Sequence, residues 1–518
     1  MKHFDNSANR SSPASWPGVV LLCLSVIVGL LCYKNYGMSW DEPIQRGIGR
    51  VTYDYVTNGN QLLKTYEDRD LGTGFEYPLI KLEKSLHLTD TRDIYLMRHI
   101  VTHLFFLLSV FCGYLLAMRL FKDQFIAILA FILLAFTPRI YAHSFFNTKD
   151  IPFFSVFIIT FLIAQVAFEK NKPAWYLLLG CACGYATSIR PMGIMLVPCI
   201  TTFLLIDYCR NIYLEEKTTT AIFNGLLFVI GFCGLLYAAW PLLWSAPLFY
   251  FTEEIKTQAH IFFDGYVLFR GSIISARQLP WDYLPVWFAI TVPEVWLLAG
   301  LTGFIWVNIS FFKRPLQYLL NVPQRNLLLY IACFAAPVIA VIALHSVNYD
   351  DWRHLYFIYP SFVMLALFAI HKLATRRRRI IVLSVCGAQI LAVAFFMVRY
   401  HPFQQVYFNH LVSHKKEFLR NNYDLEYWGC AYTNGMEYIL AHDTAAIIRI
   451  DHGLDPTMNA YFFIPAEQRK RIVIVDSTGH PDYLITNFRN HPADYNYPHI
   501  MYNIEVLNSS ILRVYKVH

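Results

Sequence analysis

The sequence predicts a mainly α-helical, polytopic membrane protein of about eleven transmembrane helices, with a small α/β domain outside the membrane at its C-terminal end. Three observations predict it. Long apolar runs recur along 518 residues that are 56% hydrophobic, and the mean hydropathy is +0.38. Only 15% of residues are charged, against about 25% in a soluble protein. Lys and Arg collect in short segments between the apolar runs, as they do in cytoplasmic loops. The net charge of +7 is therefore scattered along the chain, which argues against nucleic acid as a partner.

A span needs about 20 largely apolar residues to cross roughly 30 Å of hydrocarbon. Such runs fall at 17–35, 98–118, 124–142, 151–168, 174–189, 191–208, 220–241, 285–310, 326–345, 355–372 and 380–399. The first has the length of a signal peptide but lacks its small-residue cleavage pattern, so it is expected to stay as a span. Arg190 and Pro191 leave almost no loop between the fifth and sixth runs, where a re-entrant hairpin is the alternative.

Arg119 and Lys122, Lys170 and Lys172, Arg210 and Lys217, Lys313 with Arg314 and Arg325, and the RRRR run at 376–379 all fall on one side. That side is expected to be cytoplasmic, with the N-terminus. An odd number of spans then puts the C-terminal region outside, periplasmic if the host membrane is a bacterial inner membrane. Three outer pieces are long: 36–97, 242–284 and 400–518. The division expected is a membrane domain at 1–399 and an outer domain at 400–518. The latter alternates β-rich runs at 445–450, 471–475, 483–486 and 511–517 with a helical stretch near 435–441, the pattern of a small α/β domain. Cys430 is the one cysteine in a clearly polar region, so no internal disulfide holds that domain. Cys181 and Cys183 have no matching second pair, which makes a zinc site improbable.

Charges beside a span are costly in lipid and tend to mark function. Asp41 and Glu42 follow the first span in Ser39-Trp40-Asp41-Glu42-Pro43. Adjacent carboxylates there suit a general base or a cation ligand, although Asp41 with Pro43 also makes a good helix start. Asp150, after His143, Asn147 and Lys149, opens another span with Pro152 close behind and is open to the same two interpretations. Arg353 and His354 end the segment Asn348-Tyr349-Asp350-Asp351-Trp352 where the tenth run enters the membrane. A guanidinium at that depth suits a lipid phosphate, or it pairs with Asp350 or Asp351, or only anchors the span. Glu76-Tyr77-Pro78 precedes Lys81, in a mixed Leu, Lys and Glu stretch at 79–88 that fits a segment lying on the membrane. Arg98 with His99 opens the second span. There is no Walker A sequence, HExxH, GxSxG or paired CxxC, which argues against an ATPase, a zincin or a serine hydrolase.

The acidic pair after the first span, the Glu-x-Pro element at Glu76, and Asp150 opening a later span together resemble the GT-C superfamily of membrane glycosyltransferases. The resemblance is greatest to the family-39-like group that includes the lipid A aminoarabinose transferases and the protein O-mannosyltransferases. It extends to Pro138-Arg139 through Phe153, to Arg353-His354, to His401-Pro402 with Tyr407-Phe408-Asn409, and to Tyr427-Trp428-Gly429. What the resemblance implies is transfer of one sugar from a polyprenyl phosphate, such as undecaprenyl or dolichyl phosphate, to a glycolipid, polymer or protein acceptor on the outer face. It implies Asp41 as base or acceptor ligand, Glu42 in support, and Asp150 in assembling the site. Glu76, Lys81, Arg98, His143, Lys149, Arg353 and His354 are then the expected substrate-binding residues. Where the related transferase carries a lysine after the loop glutamate, this chain has Tyr77, so Lys81, Lys149 or Arg353 must take over the phosphate contact. Members of the superfamily differ on metal use, which leaves a divalent ion at Asp41, Glu42 and Asp150 open.

The expected chemistry is a single inverting displacement, since a phosphate leaves as an anion and needs cations more than a strong acid. The rival is a transporter or glycolipid flippase. Transporters commonly bury ionisable groups at mid-membrane, whereas here the acids gather at one face.

Overall fold

In the computed structural model the described residues are 16–259, 264–453 and 456–517; the polar N-terminal segment at 1–15, expected in the cytoplasm, lies outside them. Helix α1 (Trp16–Cys32) leads into a long loop in which α2 (Glu42–Asn58) packs on α3 (Glu76–Ser85). The chain then runs through α4 (Thr91–Phe121), α5 (Gln124–Ala135), α6 (Pro138–Phe146), α7 (Asp150–Lys170), α8 (Pro173–Ile189), α9 (Leu196–Tyr213) and α10 (Thr219–Ala239). A second long connection holds α11 (Pro247–Ala259), the antiparallel hairpin of β1 (Tyr266–Phe269) and β2 (Ser272–Ser275), and α12 (Tyr283–Thr291). Next come α13 (Glu294–Lys313), α14 (Pro315–Leu320), α15 (Val322–Ala343), α16 (Tyr359–Leu373) and α17 (Arg379–Arg399).

This is a multi-pass membrane protein. Among the described residues nine helices are long and apolar enough to cross a bilayer, or ten if the α5–α6 pair counts as one span. The shortfall against about eleven lies at two places. The run at 124–142 is broken by a 60° bend: Pro138 lacks an N–H and holds Thr137 extended (ψ 111°), so α5 cannot continue. The run at 174–189 forms α8, whose 17 residues are at the short end of what can cross. Pro293 splits the run at 285–310 in the same manner, with Val292 extended (ψ 134°) before it. Between α8 and α9 the chain makes a short 3-10 turn at Pro191–Met195 rather than a re-entrant hairpin.

Helices α8 and α10 touch at backbone distance. A Cβ on Gly180 would sit 2.0 Å from the Phe228 carbonyl, and one on Gly231 2.2 Å from the Leu177 carbonyl. Small residues at such crossings are how membrane helices gain contact where lipid offers no hydrophobic drive.

Beyond α17 lie α18 (Phe418–Asn422), α19 (Ala431–His442), β3 (Ile448–Asp451), α20 (Pro456–Phe463), β4 (Ile472–Val475), β5 (Tyr483–Thr486), β6 (His499–Val506) and β7 (Ser509–Lys516). The strands form one sheet in the order β4-β3-β5-β7-β6. Strands β4, β3 and β5 are parallel; β7 runs antiparallel to β5 and to β6. The sequence did not predict β6 or the β1–β2 hairpin. The β6–β7 turn is Leu507-Asn508, both left-handed (φ 51° and 60°), and it lacks the Asn-Gly or Asp-Gly pair that usually announces such a turn. Apolar side chains of the sheet and of the helix bundle share one continuous core. The segment 404–409 is buried in it, and 426–428 is buried beside it with Tyr427 and Trp428 in a smaller aromatic cluster with Tyr36, Phe145 and Phe146, next to the charged residues described below.

Candidate functional site

Four chain segments bring their charges together at one end of the bundle: the start of α2, the start of α7, the end of α8 and the loop before α16. Arg353 is at the centre. Its Nη1 lies 2.8 Å from Asp41 Oδ2 and 3.7 Å from Asp150 Oδ2, and its Nη2 3.3 Å from Asp350 Oδ2. The guanidinium also stacks on Trp428 (4.6 Å to the ring centre) and Tyr349 (5.1 Å). Asp150 is paired in addition with Arg190 and accepts from Asn147 Nδ2 at 2.8 Å. Arg489, from the segment after β5, closes the far side: it reaches Asp350 at 2.8 Å and lies over Trp40.

A second, wholly buried pair supports this one. Arg139 Nη1 donates to Asp351 Oδ2 at 2.8 Å, and its Nε donates to the Tyr407 carbonyl. Tyr427 Oη donates to the same Asp351 oxygen at 2.7 Å. Asp350 and Asp351 are consecutive left-handed residues (φ 55° and 65°), a conformation that Asp tolerates better than most. The turn points one carboxylate at Arg353 and Arg489 and the other at Arg139. His143 accepts from Trp428 Nε1 at 3.0 Å and so fixes the ring on which Arg353 stacks.

Several expected roles change. Asp41 does occupy the N-cap position of α2, but its side chain makes no capping bond; it turns to Arg353 instead. Asp150 is the first residue of α7 rather than its cap, and the exposed N–H groups of Lys149 and Asp150 are taken by Asn147 Oδ1. Glu42 faces away from Asp41: it accepts from the Ser39 N–H at 2.7 Å and pairs with His99 at 3.0 Å. Glu76 accepts from Arg98 and Thr148, a buried brace between α3 and α4. Lys81 is on the exposed face of α3, over the Tyr77 ring, and makes no contact with the cluster. His354 packs edge-on against Tyr349. Arg190, at the end of α8, is part of the cluster through Asp150. No local pattern announces that Arg139, Arg489 and Trp428 meet Asp351, Asp350 and Arg353, because each pair is more than 70 residues apart.

Exposure separates the acids. The Asp41 side chain is 32% exposed, whereas Asp150 is 2%, Asp350 8% and Glu42 1%. Lys149 is half-buried, and among the described residues it has no ion-pair partner. Burial, with Arg190 nearby, pulls its ammonium down to about 7, against the pull of Asp150, Glu254 and Asp41. Burial raises Asp351 to about 6 although Arg139 opposes it, and raises Glu426 to about 8. The acids do not form a ligand set: Arg353 lies between Asp41 and Asp150, and Glu42 is engaged elsewhere. Among the described residues no group of three or more His, Cys, Asp and Glu could hold a metal ion.

The fold and this cluster define a multi-pass membrane protein with a charged, aromatic-lined site at one membrane face. Residues 94–234 match the model of the dolichyl-phosphate-mannose-protein mannosyltransferase family, which bears out over that segment the resemblance to the GT-C glycosyltransferases. The match covers a little over a quarter of the chain and takes in Arg98, Arg139, His143, Lys149, Asp150 and Arg190. No curated protein matches the chain in sequence. Among solved structures it is similar to an Archaeoglobus fulgidus oligosaccharyltransferase tethered to an acceptor peptide (13% identity, 92% of this chain and 69% of that one, TM-score 0.47). It is also similar to ArnT from Cupriavidus metallidurans, bound to undecaprenyl phosphate (12%, 97% and 98%, TM-score 0.46) and in the apo state (13%, 97% and 98%, TM-score 0.48).

Proposed function

We propose that this protein is a glycosyltransferase that takes a hexosyl or pentosyl unit from a polyprenyl-phosphate donor at the outer face of a cell inner membrane. The observation that carries the proposal is the disposition of charge: one accessible carboxylate, Asp41, lies within electrostatic reach of a half-buried lysine with no ion-pair partner among the described residues, Lys149. A transfer of this kind needs a base for the acceptor and a cation for the departing phosphate. The family matched at 94–234 is named for a sugar carried on a lipid phosphate, which supports that donor class.

In the proposed reaction the acceptor hydroxyl attacks the anomeric carbon from the side opposite the phosphate. Its proton passes to Asp41, the C1–O bond to phosphate breaks, and the configuration inverts. Proton transfer to a placed carboxylate is worth roughly 10²–10⁴ in rate. The leaving phosphate takes Lys149 and a share of Arg353, whose Nη1 is already divided between Asp41 and Asp150. Drawing Arg353 toward the phosphate releases Asp41 for the acceptor. Asp150 holds Arg190 and Arg353 in place, and His143 and Trp428 set the face on which Arg353 rests. The region at 400–518, packed on the bundle through a shared core, orients the acceptor.

The test is transfer or hydrolysis of radiolabelled sugar from a polyprenyl phosphate by purified protein in detergent, with Asp41→Asn and Asp150→Asn alongside wild type. The proposal expects turnover that both substitutions abolish while each variant stays folded and monodisperse. Wild-type turnover undiminished in Asp41→Asn removes the base from the mechanism. Absence of both turnover and binding across a panel of such donors removes the donor class.

A further inference from the structure

Helices α7 and α8, which carry Asp150 and Arg190 of the charged cluster at one end, line a polar cavity of about 380 Å³ at the other, together with α9, α10 and α15. Helix α7 has 21 residues, about 30 Å of rise, between Asp150 at its start and Asn171 just beyond its end. The cavity therefore opens at the opposite membrane face, and the chemistry proposed above makes no use of it.

Three helix starts converge on this cavity. Tyr176 from the first turn of α8, Thr220 and Asn224 from the first two turns of α10, and Arg325 from the first turn of α15 line it. None of the three N-cap residues, Lys172, Thr218 or Asn321, supplies a side-chain cap, and each start carries the positive end of a helix dipole. Arg325 is neutralised by Asp207 through two bonds of 2.6 and 2.8 Å. Arg210 and Lys217 line the cavity on exposed chain and are in no ion pair among the described residues. These features call for an anion.

An independent observation calls for a hydrogen-bond donor as well. Asn224, whose side chain lines the cavity, is 1% exposed; its Nδ2 donates to Asn171 Oδ1 at 2.8 Å, while its Oδ1 has no partner among the described residues. A buried acceptor left so is destabilising unless a ligand or water satisfies it. Glu216 adds a carboxylate to the same wall. Around the cavity, Leu205 and Ile212 of α9 and Ile222 and Phe223 of α10 are exposed apolar side chains, suited to acyl chains.

We propose that this cavity binds the headgroup of a zwitterionic phospholipid bearing a primary amine, taken from the leaflet opposite the charged cluster. The phosphate sits at the helix starts with Arg210 and Lys217, and the ammonium donates to Asn224 Oδ1 and Glu216. The tails lie along α9 and α10.

Native mass spectrometry of the full chain in detergent tests this by titration with phosphatidylethanolamine, phosphatidylcholine and inorganic phosphate. Phosphatidylcholine has the same phosphate but no N–H to donate. The expected result is one phosphatidylethanolamine per chain, bound at least about tenfold more tightly than phosphatidylcholine, as for a lost hydrogen-bonded ammonium. Each exposed cation removed, in Arg210→Gln and Lys217→Gln, weakens it about fivefold. Asn224→Leu erases the preference between the two lipids. Equal binding of the lipids by wild type, unchanged binding in the Arg210→Gln/Lys217→Gln double variant, or displacement by millimolar inorganic phosphate each overturns the proposal; the last indicates a site for free phosphate.

Discussion

Lys149 makes donor binding depend on pH in a direction the structure fixes. Burial and Arg190 lower its ammonium to about 7, so free protein loses this charge as pH rises through neutrality. A bound phosphate restores the charged form, because opposite charges in contact favour ionisation. Donor affinity is then full below pH 7 and falls above it. The apparent Kd grows as 1 + 10^(pH − 7), so from pH 7 to pH 9 it rises from 2 to 101 times its limiting value, a change of about 50-fold, or roughly 1.4 kcal/mol per pH unit at the upper end. Protein stability without donor runs the other way. Between pH 7 and 10.5 the unfolded chain holds a proton that the folded chain lacks, so stability rises with pH across that window. The assay is equilibrium binding of a polyprenyl-phosphate sugar in detergent from pH 6 to 9. As a phosphodiester this donor carries one charge throughout, and the ligand itself does not titrate. Lys149→Arg stays charged and flattens the profile; Lys149→Gln binds weakly at every pH. A wild-type Kd that is constant from pH 6.5 to 9 refutes the assignment of Lys149 to the phosphate.

Other outcomes follow from the same geometry. Arg139→Met leaves Asp351 buried without its partner and lowers stability by about 3–5 kcal/mol, seen as a lower Tm in detergent. Glu42→Gln keeps turnover within about tenfold of wild type, far above Asp41→Asn, since Glu42 is directed at His99 and the Ser39 N–H; initial rates on one donor compare them. The Glu426 carboxyl, raised to about 8 by burial, keeps its proton in the fold where the unfolded chain has lost it. The stability this gives is complete below pH 4.5 and is lost as pH rises through 8. Tm measured from pH 5 to 7, below the range in which Lys149 titrates, falls with pH in wild type and less so in Glu426→Gln. Gly231→Leu places a Cβ 2.2 Å from the Leu177 carbonyl and forces α8 from α10, costing about 1–3 kcal/mol, which thermal unfolding measures.

The sequence by itself determined that the chain crosses a membrane many times, roughly where, and at which positions charges border the spans. Those properties are local: hydropathy over about 20 residues and loop charge need no knowledge of distant contacts. The strands at 483–486 and around 511–517 were legible for the same reason, as short β-branched runs. Asp41, Asp150 and Arg353 stood out as charges at span mouths, and they do meet. What met what was decided by tertiary structure alone. Whether Asp41 capped α2 or reached Arg353 depended on a residue 312 positions away. Lys81 and Lys149 looked alike as phosphate ligands, yet one projects from an exposed helix face and the other is half-buried within electrostatic reach of Arg190, Asp150 and Asp41. Arg139 and Asp351 gave no local signal because a buried pair is specified by the packing of α6, the loop before α16 and the segment at 407–427. The cost of burying a charge is relieved only by partners the fold brings to it, and no window of sequence contains them.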